Sequence, residues 1–200
     1  MAVYFHGSFG LKRPVLSRLV ALGLENPQWG DRELAEPFNY GAPFSAKHRS
    51  WLHKSGLARM RLPIKLTEMG AVVFEQDPKL EALTTQWFMH HELTGDPERA
   101  EAWHFFAKEF LPRHDSFTRD GLLVGFTERF RSHSEKHFGP DGSLTKVIAA
   151  KLLECYSKDY ALGALALLKQ DGKRFVRGTA TEQPGPWRSP EELRRAYAVQ

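Results

Sequence analysis

Residues 44–65, FSAKHRSWLHKSGLARMRLPIK, hold six lysines and arginines, two histidines and no carboxylate. A helix over residues 43–55, stopped by Gly56, gathers Phe44, His48, Trp51 and Leu52 into one arc of about 100° that faces a core. Lys47, Arg49, Ser50, His53 and Lys54 occupy the rest of the circumference. The next residues, LARMRLPIKL, alternate apolar and basic side chains around Pro63, the pattern of a short two-stranded ribbon with Arg59, Arg61 and Lys65 turned outward. Exposed helices usually interleave opposite charges at pairing distance. A cationic face without acids suits phosphate neutralisation instead, because each phosphate engaged releases condensed counterions.

Upstream, KRPVLSRLVALGLENP predicts a first helix, with Pro14 in the first turn and Val15, Leu16, Leu19, Val20 and Leu22 on one side. DRELAEPF predicts a short second helix with Asp31 as its N-cap and Pro37 as its stop. Three helices followed by a ribbon make a winged helix-turn-helix, in which the third helix enters the major groove and the wing touches the flanking backbone. Arg49, His53 and Lys54 would then face the groove, with Arg49 and Lys54 reading base edges. Lys47, Arg59, Arg61 and Lys65 would hold phosphates.

Downstream, Thr67 caps a helix, TEMGAVVFEQ, which Asp77-Pro78 breaks. From residue 79 the chain reads as helical: KLEALTTQWFMHHELTG, PERAEAWHFFAKEFL, TRDGLLVGFTERFRSHSEKHF and, after a turn at 139–142, SLTKVIAAKLLECYS with Ser143 as a cap. ALALLKQDGKRFVRGT predicts a hairpin within 164–178, turning at Asp171-Gly172. Helix, helix and hairpin in 117–178 echo the N-terminal pattern, which allows a second winged-helix-like unit there. EQPGPWRSP reads as a linker and PEELRRAYAV as a last helix running to residue 200. The fold expected is mainly α: residues 1–78 a winged helix-turn-helix, residues 79–200 a helical domain with a small β-hairpin.

The 200 residues suffice for a real core, and 42% hydrophobic with 12% aromatic content argues against disorder. The net charge of +4 is modest, so its concentration before residue 66 matters more than its size. A single cysteine permits no intrachain disulfide and fits a reducing cytoplasm; no apolar run is long enough for a bilayer, and MAVYFHGSFG lacks a signal-peptide pattern. No phosphate-binding glycine loop, dinucleotide fingerprint, nucleophile elbow or Cys-x-x-Cys motif occurs. His90-His91-Glu92 points its rings about 100° apart, and His133 and His137 lack a third ligand, so both read as ordinary helix residues. A metal-dependent nuclease needs two or three carboxylates converging on one point, for which Glu68, Glu75, Asp77, Asp115 and Asp120 are the candidates, although each also reads as a cap or surface pair; Cys155 reads as core. The sequence singles out no catalytic or metal-ligating residue.

FHGSFGLKRPVL places His6, Phe9 and Arg13 at matching positions of a known N-terminal motif, and AKHRSWLHKSGL matches an Ile-Arg-Tyr-Trp-Leu helix through Arg49, Trp51, Leu52 and Gly56. The block LTEMGAVVFEQDPKLEALTTQWFMHHEL adds Leu66, Thr67, Gly70, Phe74, Asp77, Pro78, Leu80, Glu81, Thr85 and Trp87; EAWHFFAKEF and FTRDGLL continue it. Over most of residues 5–180 the chain resembles the SspB family of bacterial DNA-phosphorothioation defence systems. The resemblance implies a protein acting on double-stranded DNA beside other proteins of that system, with His6 and Arg13 added to the DNA surface. It also implies strand nicking, with magnesium or manganese as cofactor, to open the backbone for sulfur insertion by partners. The alternative is a non-catalytic winged-helix regulator or docking module, needing no cofactor, that recruits sulfur-transfer proteins to DNA. A homodimer is compatible with either. Family members carry an aspartate early in the helix matching SLTKVIAAKLLECYS, where this chain has Ile148 or its apolar neighbours. They also continue past a helix resembling PEELRRAYAV, so a C-terminal region of the family is expected to lie beyond this chain.

Overall fold

The computed structural model describes residues 3–178 and 183–199. In chain order the helices are α1 (Arg13–Glu25), α2 (Asp31–Ala35), α3 (Ala42–Lys54), α4 (Glu68–Gln76), α5 (Leu83–Gly95), α6 (Pro97–Phe105), α7 (Arg119–Phe130), α8 (Glu135–Phe138), α9 (Ser143–Ser157) and α10 (Pro190–Ala198). The strands are β1 (Ser116–Thr118), β2 (Leu168–Asp171) and β3 (Arg174–Arg177). The protein is therefore mainly helical with a small antiparallel sheet, as the sequence predicts. Thr179 at the end of the hairpin stretch, Glu182 at the head of the linker and Gln200 fall outside the described residues.

The chain divides into two compact units. One comprises residues 5–93 together with 183–199. Here α1, α2 and α3 pack on one another, burying Leu16, Leu19, Leu34, Phe44, Trp51 and Leu52. The predicted apolar arc of α3 is the one that faces inward. Asp31 is not the N-cap of α2; Gly30 is, and its N–H donates to Glu33 Oε2 over 3.0 Å. The expected ribbon contracts to a single antiparallel bridge, Ala58 with Leu66. The Arg59 N–H donates to the Lys65 carbonyl at 2.8 Å, so residues 59–65 form a closed loop rather than two strands.

Close packing on α4 fixes that loop's base. Thr67 caps α4 by accepting from the Gly70 N–H at 2.8 Å, while its hydroxyl donates to the Gly56 carbonyl at 2.6 Å. Gly56, at φ +76°, ends α3 in the left-handed region that only glycine enters freely. A β-carbon on Gly70 would lie 1.8 Å from the Leu57 carbonyl oxygen. After α4, Asp77 accepts from the Glu81 and Ala82 N–H groups and from the Thr85 hydroxyl, opening α5. The Thr85 hydroxyl also meets Tyr197 on α10 at 2.7 Å. Burial pushes the Tyr197 phenol up to about 12, against a small opposing effect of the Thr85 bond.

The other unit holds residues 3–4 and 94–178. Its order is α6, one π-helical turn at Phe106–Phe110, β1, α7, α8, α9 and the β2–β3 hairpin. The sheet runs β1-β3-β2, with Phe117 opposite Phe175 and Lys169 opposite Val176. Helix α9 packs on α7, α8 and β2. A helix, a short strand, further helices and a hairpin whose second strand sits centrally is winged-helix connectivity, now with a strand, β1, that three residues are too short to announce. Phe106 stacks on Tyr156 and Phe117 on Phe175, joining the π turn, α9, β1 and β3 in one aromatic core. The single predicted helix over 118–138 is broken into α7 and α8 by a turn at 131–133. Gly142 rather than Ser143 precedes α9 as its N-cap. Cys155 is buried, as expected; burial raises its thiol to about 12, with the neighbouring Trp103 partly opposing the shift.

Two outcomes follow from this packing. Gly70→Ala should lower unfolding free energy in a denaturant melt by about 3 kcal/mol or more, since backbone has to retreat from the new methyl. His48 is 1% exposed and its Nδ1–H donates to the Phe44 carbonyl at 2.8 Å. Desolvation lowers its pKa from 6.5 to about 4, with the Phe44 bond opposing and Lys12 assisting. The unfolded chain therefore takes up a proton that the folded chain refuses. The stabilisation, roughly 3 kcal/mol by the size of the shift, is complete above pH 6.5 and lost as pH falls toward 4. Melts between those limits should slope less steeply for His48→Gln than for the unmodified chain.

Candidate nucleic-acid interface

The acid-free run in sequence is not acid-free in space. Arg49 lies with its side chain only 11% exposed, and its guanidinium forks onto Asp31: Nε donates to Oδ1 at 2.8 Å and Nη2 to Oδ2 at 2.7 Å. Its remaining Nη1 donates to the Met60 carbonyl. Ser45, one turn earlier on α3, donates to the same carboxylate at 3.0 Å. Arg49, expected to read a base edge, is thus a bracket joining α2, α3 and the 59–65 loop. An acid at the head of a helix ordinarily reads as a cap, and the signal for the real partner of Asp31 is an arginine 18 positions later.

His6 and Arg13, added through the family resemblance, are interior residues. His6 stacks against Trp51 with centroids 5.9 Å apart and packs edge-on to Phe5 at 5.4 Å. Arg13 is buried and donates to the carbonyl of Leu80, itself held at φ +59°. Lys47, His53 and Lys54 are half-buried. The Lys47 stem crosses Gly7, whose added β-carbon would lie 3.2 Å from Cε, and the Lys54 ammonium sits 5.9 Å over the Phe5 ring. Glu92 lies against Gly56, where its carboxylate would touch an added β-carbon at 2.6 Å, so the end of α3 also has an acid beside it.

Arg59, Arg61 and Lys65 are different. All three are exposed, and among the described residues no side-chain hydrogen bond or ion pair engages them. The structure therefore separates the nine candidate residues. The loop cations stay available to a ligand, the α3 cations lean on the fold, and His6, Arg13 and Arg49 build it.

The acids the sequence offers as metal ligands are dispersed. Asp77 caps α5, Glu75 meets Arg194 at 3.4 Å, and Asp115 meets Arg177 at 2.6 Å. His133 faces Glu101 at 3.1 Å, and His91 the Pro184 carbonyl at 2.8 Å. Among the described residues no group of three or more histidines, cysteines and carboxylates is placed to hold a metal ion. A groove of about 740 Å³ that the sequence does not signal opens in the second unit. It is lined by the start of α7, the last turns of α9 and the hairpin, and Arg119, Lys158 and Lys173 stand along it.

A family model described as a protein of unknown function, DUF4007, matches residues 45–171. The chain belongs to the DUF4007 family. No curated protein matches it in sequence. The crystal structure of magnesium ion-bound SspB is similar to this DUF4007 chain with a TM-score of 0.61 at 19% identity, over 88% of the chain and 59% of that protein. The DUF4007 chain thus shares an SspB-like fold and spans about three fifths of that structure's length. No helix among the described residues is long and apolar enough to cross a membrane. The residues carrying the sequence resemblance have identifiable work in the fold: Thr67 and Asp77 cap helices, Gly70 admits the Leu57 carbonyl, and Thr85 ties Asp77 to Tyr197.

Removing Asp31 tests the bracket. Asp31→Ala leaves the Arg49 guanidinium partly buried without its acid and should cost about 2–3 kcal/mol in a denaturant melt, below the range for fully enclosed pairs because water reaches Asp31. Trypsin should also cut faster after Arg59 and Arg61 in this variant, as the loop loses its tie through Met60.

Proposed function

We propose that this DUF4007 protein binds double-stranded DNA through the 59–65 loop and the adjoining face of α3, as a component of a DNA phosphorothioation system. The observation that carries the reading is the loop itself. Arg59, Arg61 and Lys65 stand exposed without acidic partners among the described residues, on a segment closed at its base by the Thr67–Gly56 bond and held at Met60 by Arg49. Such a segment presents three charges to phosphates without first having to be ordered, which lowers the entropic cost of binding. Lys47, His53 and Lys54 extend the surface along α3. Arg49 contributes by holding the loop, and the SspB-like fold together with the motif resemblance supports the phosphorothioation context.

The same resemblance brings magnesium or manganese and strand nicking into view. Among the described residues no group of three or more histidines, cysteines and carboxylates converges on one point, and the function proposed is DNA binding that docks partner proteins of the system. Cation replacement tests the binding. In gel shifts with duplex DNA, Arg59→Ala/Arg61→Ala/Lys65→Ala should weaken binding and reduce the slope of log affinity against log salt by roughly 0.9 for every phosphate no longer neutralised. Unaltered affinity and slope would refute the loop's role. Supercoiled plasmid with magnesium or manganese decides between docking and cutting: relaxed circles that vanish with chelator establish a nickase, and intact plasmid beside a salt-sensitive shift supports the docking module.

A further inference from the structure

We infer that the second unit carries its own double-stranded DNA surface, the groove between α9 and the β2–β3 hairpin, separate from the 59–65 loop. Three observations meet there. The connectivity α6-β1-α7-α8-α9-β2-β3 with sheet order β1-β3-β2 puts the hairpin in the position of a wing beside α9. In that architecture the helix before the hairpin approaches the duplex while the hairpin reaches a flanking strand.

The groove's charge is the second observation. Arg119 opens α7, Lys158 follows α9 and Lys173 lies in the hairpin turn, so three elements place cations along one groove of about 740 Å³. Lys158 and Lys173 are exposed, and no side-chain partner engages either among the described residues. Of the two carboxylates on the lining, Glu154 is occupied: it accepts from Lys151 Nζ at 2.8 Å and from the Tyr160 hydroxyl at 3.0 Å. Asp120 stands in the first turn of α7, where the helix N-terminus offsets part of its charge. Outside the groove, Lys146 lies one turn before Ala150 on the same side of α9 and is exposed. On the lining three cations face two carboxylates, one of them already paired with Lys151, an excess that suits a polyanion.

The third observation selects a duplex over a bound small anion. The cations are spread along a helix end, a helix start and a hairpin tip instead of converging on one point, and α9 lines the groove with the small residues Ala150 and Ser157 on either side of Leu153 and Glu154. A continuous backbone can run along such a trough; a single phosphate would satisfy one lysine and leave the others idle. Gly172 at the tip, φ +58°, has nothing within 4 Å of an added β-carbon, so the turn is open to approach.

The experiment uses the whole chain. Lys158→Ala/Lys173→Ala should lower affinity for a short duplex about tenfold at low salt and shift the salt slope by roughly 1.8 for two phosphates. Thermal melts should match the unmodified protein because both side chains are exposed. In parallel, duplex added to the unmodified protein should protect Lys158 and Lys173 from acetylation, read by peptide mass spectrometry, while polyglutamate at equal charge should not. Unchanged affinity and slope with both lysines unprotected overturn the inference, as does equal protection by polyglutamate. The loop variant Arg59→Ala/Arg61→Ala/Lys65→Ala keeps the two readings apart. If it alone weakens binding, the loop reading stands and this one falls; if the lysine pair alone does, this one stands and the loop reading falls.

Discussion

The Arg49–Asp31 fork organises the first unit. Its two parallel hydrogen bonds fasten α3 to α2, and the third guanidinium nitrogen turns outward to the Met60 carbonyl. Lysine could supply the charge but not this geometry, because one ammonium cannot span a carboxylate edge-on and still reach a carbonyl in the same plane. The loop that displays Arg59, Arg61 and Lys65 takes its position from an arginine that is itself withdrawn from the ligand.

Beneath this bracket the packing is backbone against backbone. Gly70 admits the Leu57 carbonyl, Gly56 turns the chain out of α3, and Thr67 bonds both helices it separates. Gly23 on α1 instead admits a side chain: a β-carbon there would lie 2.5 Å from Ile64 Cδ1, so the far side of the loop sits directly on the helix. The loop's rigidity comes from these approaches and owes nothing to a β-ladder.

Much of the architecture is legible in the sequence. Helical periodicity locates α1, α3, α4, α9 and α10, and the Asp-Gly pair locates the hairpin, because these signals are local and repeat over several turns. The inward arc of α3 follows from spacing alone. What stays hidden depends on distant partners: Asp31 looks like a cap until Arg49 claims it, and His6 and Arg13 look like surface residues until Trp51 and Leu80 enclose them. Alternation around Pro63 resembles two strands, whereas the Arg59–Lys65 bond closes the chain after one bridge. The groove of the second unit gives no signal, since Arg119, Lys158 and Lys173 lie far apart in sequence. The residues of the family block carry the resemblance, and in the fold they cap and pack.

The small sheet has a quieter effect. Its outer strands, β1 of three residues and β2 of four, leave hydrogen-bonding groups open along two margins. Both margins are too brief to template another chain, and β2 carries the exposed Lys169, a charge of the kind that blunts strand edges. Self-association by strand addition is therefore disfavoured, and the hairpin can remain accessible in solution without seeding aggregates.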